Sequence, residues 1–198
     1  MQRMKWMTLL VMWLAVSNLF APASKQVRDT KDAAPLDAQR EKRALQSLLN
    51  LAEKLIVSAV DAMPADKFGF VPTDGEFKGV RTFGQMVKHV AATNHILAAA
   101  ALGEEPPADA GDEVGPETVR TKDEILAYLS GSFAHLSKAV DAIGQTNTSA
   151  NPSPSPLKKG EVTRSALVVE SLFHSADHYG QIVVYLRMNG VVPPASRP

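Results

Sequence analysis

From Thr163 to Asn189 the chain runs for 27 residues without a proline, ahead of Gly190 and Pro193. The middle of this run, Ile182-Val183-Val184-Tyr185, reads locally as a strand. A strand of that length is excluded, because strands end within about 10 residues. β-Branched residues are tolerated in helices whose stability comes from packing. The run is therefore a helix, with Thr163 as its N-cap and Gly190 as its stop. On a helix, Leu167, Ser171, His174, His178, Gln181 and Tyr185 share one face. Gly180 lies inside it at a cost of about 1 kcal/mol relative to Ala, which suggests a close neighbour at that point.

Three more segments carry helical periodicity, and breakers separate them. The first runs from Asp37, a candidate N-cap, to Met63. Leu45, Leu48, Leu49, Ala52, Leu55, Ile56 and Ala59 form its stripe, and Pro64 ends it. The second runs from Thr82 to Leu102 with the stripe Phe83, Met86, Val87, Val90, Asn94, Leu97 and Ala101, and Gly103 ends it. The third opens on Thr121-Lys122-Asp123-Glu124, a capping box, and carries Ile125, Leu129, Phe133, Leu136 and Val140. Four helices of this length imply an all-α fold, a four-helix bundle over residues 36–198. Residues 24–35 lack periodicity and read as a flexible lead-in. The long second and third connectors leave the helix order open.

His174 and His178 are four apart, which places both imidazoles on one helix face about 6 Å apart. Two ring nitrogens at that spacing can reach one ion at about 2.0–2.1 Å each. A pair alone does not make a metal site, so a third ligand matters. The remaining histidines are His89, His95 and His135. His89 and His95 are six apart and diverge by about 120° around the helix axis, so they cannot both face one ion. His89 borders the apolar stripe beside Met86 and Thr93 and is the better inward candidate. His135 lies off the stripe of its helix and is expected to meet solvent. Gln181, Glu170 and Asp177 lie on or beside the histidine face and are candidates to orient the imidazoles. Tyr185 on that face reads as core.

Composition narrows the chemistry. There are no cysteines, which excludes disulfides, thiolate-based metal sites and a thiol nucleophile. The 21 basic residues balance the 21 acidic ones, and no basic run points to nucleic acid. No phosphate-cradling glycine loop and no Gly-x-Ser-x-Gly elbow is present. At the N-terminus, Arg3 and Lys5 precede the apolar run WMTLLVMWLAVSNLFA, which is followed by Ala21-Pro22-Ala23. That order is the one found in secretory signal peptides. Residues 1–23 are therefore expected to be cleaved, leaving an exported, periplasmic or secreted chain with no stable membrane insertion. The apolar far side of the last helix (Val169, Leu172, Ala176 and Val183) suggests a homodimer face.

The segments TFGQMVKHVAATNHILAAAALGEEPP and SLFHSADHYGQIVVYLRMNGVVPPAS together resemble the DinB-like (damage-inducible) four-helix-bundle family. The shared features are a histidine in the second helix, then His-x-x-x-His followed closely by Gly-Gln in the last. The resemblance covers roughly residues 36–196. It implies a divalent transition metal held by His89, His174 and His178, zinc or nickel being suited to nitrogen donors. It implies an up-up-down-down type of bundle, often dimeric. Members with known chemistry include thiol-dependent transferases and isomerases. The expected function is a metal-dependent hydrolase or transferase acting on a small molecule of unknown identity. The alternative is a non-catalytic metal-binding or stress-associated dimeric bundle.

Overall fold

The structure, a computed structural model, describes residues 30–110, 113–145 and 162–198. The expected signal peptide lies outside the described residues. Four helices account for most of the rest: α1 (Thr30–Ala62), α2 (Phe83–Leu102), α3 (Lys122–Asp141) and α4 (Arg164–Met188). There is no strand among the described residues. None of the described helices is long and apolar enough to cross a membrane.

The caps follow the sequence. Thr82 accepts from the backbone N–H of Gln85, whose side chain returns the bond, and Thr121 and Glu124 do the same for α3. Thr163 accepts from Ala166 N–H at 3.1 Å. Gly103 ends α2 at φ +76°, and Gly190 follows α4 at φ +72°, conformations that favour glycine. α1 begins at Thr30 rather than Asp37, so residues 30–35 are helical and Asp37 is not a cap. A segment without a hydrophobic stripe can still be helical, and Ala33 and Ala34 favour a helix.

The helices pack as a square in which α2 contacts α3 and α4, and α1 contacts α3 and α4. Lys122 at the start of α3 pairs with Asp61 at the end of α1 at 3.3 Å. Lys42 near the start of α1 donates to the carbonyl of Asp141 at the end of α3 at 2.7 Å. These two are antiparallel. Arg164 opens α4 and donates to the carbonyl of Ala101 at the end of α2, so that pair is antiparallel as well. Gly84 lies against Ile125, and Asn94 bonds Ser132, so α2 and α3 run parallel. The order is thus up-down-down-up, which corrects the up-up-down-down order that the resemblance implies. Chain reach allows it: residues 103–121 can extend to about 60 Å, twice the roughly 30 Å length of a 20-residue helix.

α2 is the hub. Its reading as one stripe was too narrow, since only four of its 20 residues escape burial. Phe83, Val87 and Val90 meet Leu49, Ile56 and Val60 of α1, Leu129 and Phe133 of α3, and Leu167 and Ile182 of α4 in one core. The first connector folds over the start of α2. Gly84 N–H donates to the carbonyl of Phe68, and the rings of Phe68 and Phe83 meet edge-on with centroids 5.2 Å apart. A Cβ on Gly84 would come within 3.3 Å of both Ile125 and the Phe68 carbonyl, so glycine lets connector, α2 and α3 converge. Gly180 has no such role. Nothing lies within 4 Å of a Cβ built there, and the close neighbour that its place in the helix suggested is absent.

Candidate metal centre

α2 and α4 cross near their middles, where polar side chains replace the apolar ones. Asn94 of α2 is wholly buried. It donates to Ser132 Oγ of α3 at 3.2 Å and accepts from Ser171 and Ser175 of α4 at 2.7 and 3.2 Å. Ser132 in turn donates to the Leu129 carbonyl at 2.7 Å. This network locks the register of three helices. Ser171 and Ser175 flank His174, so the network also sets the height of His174 opposite His89.

There the three histidines meet. His89 Nε2 and His174 Nε2 are 3.0 Å apart. The ring centroids lie 4.8 Å apart for His89–His174, 4.9 Å for His89–His178 and 4.5 Å for His174–His178. One donor atom from each falls within 4.8 Å of the others. Two nitrogens bound to one ion at about 2.1 Å would lie about 3.0 Å apart at right angles and about 3.4 Å apart at the tetrahedral angle, so the His89–His174 separation suits a shared ion.

The surroundings match that reading. His89 is buried, and its Nδ1 lies 2.8 Å from the carbonyl of Glu113, which leaves Nε2 as the lone-pair nitrogen facing the centre. Glu113 holds φ at +58°, a left-handed conformation costly for a non-glycine residue, and so aims its carbonyl at the ring. Lys88 donates to the carbonyl of Pro116, pinning the same connector to α2. Nδ1 of His174 and Nδ1 of His178 are buried without a hydrogen-bond partner. Burial is the largest effect on all three and lowers their pKa values. His174, further opposed by the charges of His178 and His89, falls to about 3. All three are thus neutral at pH 7, the form that binds metal. Neutral rings and one imidazole nitrogen from each of three residues gathered at one point fit a divalent transition ion.

A model of the DinB superfamily matches residues 26–182. The chain belongs to the DinB superfamily. No curated protein matches it. In this DinB bundle the three histidines expected to converge do so, and the other two form a separate pair. His95 Nδ1 and His135 Nδ1 are 3.1 Å apart on another side of α2, and neither joins the trio. The expectation that His135 meets solvent is corrected: its side chain is only 16% exposed. α3 runs parallel to α2, and the edge of its stripe faces protein there rather than water.

The other candidates divide. Gln181 donates to Asp177 across one turn at 2.9 Å, and the Asp177 carboxylate opposes the lowering of the His178 pKa. Glu170 is half-buried one turn ahead of His174. Tyr185 is core, 6% exposed, with its hydroxyl donating to the carbonyl of Arg81 at 3.0 Å. Sequence reasoning missed Glu113, because an acidic residue on an aperiodic connector gives no signal. It also passed over the Asn94 network, although a polar residue in an apolar stripe could have flagged it.

Proposed function

We propose that the chain binds one zinc or nickel ion through His89, His174 and His178 and acts outside the cytoplasm as a hydrolase or transferase on a small molecule. The observation that carries this is the position of the trio: His178 also lines a cleft of about 650 Å³ between the first connector and α4. Three protein donors leave coordination positions unfilled, and a cleft at that point gives a substrate access to them. When bound, such an ion supplies Lewis acidity, polarising a substrate oxygen and activating a nucleophile near neutral pH. The chain's own residues do the positioning. Glu113 holds the His89 tautomer, Asn94 holds α4 in register, and the apolar walls formed by Phe77, Val80 and Met86 exclude water from a bound substrate. The test is the visible spectrum of cobalt-substituted protein. Added azide changes that spectrum if a coordination position opens on the cleft. An invariant spectrum would mean a closed, structural site, and would favour the non-catalytic alternative.

The second part of the proposal is a homodimer of cleaved, exported chains. Phe173 on α4 is 76% exposed, with Val169 at 50% on the same helix and Leu48 and Leu51 on neighbouring α1 at 53% and 52%. An apolar groove between α1 and α4, lined by Leu48, Leu51, Leu55, Leu172 and Ala176, adjoins them. A second copy laid on this surface would remove it from water. Native mass spectrometry of protein from the extracytoplasmic fraction of its own host is expected to give twice the mass of a chain beginning at Ser24. A single-chain mass contradicts the dimer, and a chain beginning at Met1 contradicts cleavage.

A further inference from the structure

The cleft beside the trio carries one fixed positive charge. Among its lining residues Phe77, Val80, Met86 and Val184 are apolar, Gln181 and Tyr185 are neutral, and burial keeps His178 neutral. Arg81 alone is cationic. Its side chain makes no ion pair or hydrogen bond among the described residues. An arginine with no partner is ordinary on an open surface. This one is held in place. Its carbonyl accepts from the buried Tyr185, and the next residue, Thr82, caps α2. Its charge is also felt at all three imidazoles, whose protonation it opposes.

We propose that Arg81 is the specificity residue of the cleft, taking the carboxylate of a small acidic substrate whose reacting group sits at the three-histidine centre. The proposal rests on reading that centre as a metal site. A guanidinium presents a planar fork that matches a carboxylate with two parallel hydrogen bonds. One cation balances one carboxylate. A phosphate dianion would leave a charge unmatched, since no second cation lines the cleft and the capping box already occupies Gln85 N–H at the start of α2. Phe77, Val80, Met86 and Val184 would cover a carbon skeleton between the two ends. The substrate class is therefore a small molecule with a carboxylate at one end and a metal-directed group at the other.

Two probes differing only in the carboxylate test this. In calorimetry with zinc-loaded protein, 3-mercaptopropionate is expected to bind at least tenfold more tightly than 1-propanethiol, a difference of about 1.4 kcal/mol. Arg81→Gln should bring the two within about twofold while leaving propanethiol affinity unchanged, and Arg81→Lys, a point charge without the fork, should retain part of the preference. Equal affinities in the wild type, or an unchanged preference in Arg81→Gln, would overturn the assignment. Zinc content measured on the same samples keeps the two readings apart. Wild-type protein that takes up neither zinc nor nickel refutes the metal centre. Arg81 is then judged in metal-free protein, where valerate must bind in preference to 1-pentanol, and that preference must be lost in Arg81→Gln, for the assignment to stand.

Discussion

Asn94→Ala is expected to destabilise the bundle by about 2–4 kcal/mol, the size of effect produced when buried hydrogen-bond partners are stranded. The Asn94 side chain is the shared partner of three buried serines on two other helices. Its removal leaves the hydroxyls of Ser171 and Ser175 without the acceptor they use in the native fold. Some of the loss is recovered, because a helical serine can turn back to the carbonyl four residues earlier. Ser132 already has the Leu129 carbonyl and loses less. For a domain of this size the shift in Tm is roughly 5–15 °C, readable by thermal unfolding followed by circular dichroism. The combination Asn94→Leu, Ser171→Ala and Ser175→Ala should regain at least half of it, since replacing all partners by apolar groups removes the unsatisfied donors. If Asn94→Ala unfolds within about 1 °C of the wild type, the network does not set the register of α4.

Much of this site is written in local sequence. His174 and His178 are four residues apart on a run too long to be a strand, and helix geometry alone brings their rings together. His89 was separable from His95 by the angle between them around α2, and the structure sends them to different neighbours. What the sequence did not disclose depends on how distant segments meet. Glu113 reaches His89 from a connector of no periodicity, through a backbone conformation that its residue type does not announce. Arg81 lines the cleft only because the first connector folds over the start of α2. The parallel packing of α2 and α3 follows from how far residues 103–121 travel, and length permits that path without requiring it. His135 shows the same limit. Its place off its own helix's stripe was correctly read, but the neighbouring helix that covers it could not be.

Each imidazole of the trio supplies one donor, so loss of any one should remove most of the bound metal. The most direct measurement is the metal content per chain, by atomic emission, of untagged protein loaded with zinc or nickel, in the wild type and in four alanine variants. The wild type is expected to hold one ion per chain. His89→Ala and His178→Ala should hold little or none at pH 7, whereas His95→Ala and His135→Ala, outside the trio, should match the wild type. The sign of the pH dependence follows from the lowered pKa values of the trio. Protons compete for the imidazoles only below the ordinary value of about 6.5, because burial resists protonation of all three rings. The ion should stay bound as pH falls through 6.5 and be released at more acidic pH. Retention of a full ion in His89→Ala together with its loss in His95→Ala, or a wild type that takes up neither zinc nor nickel, would contradict the three-histidine centre.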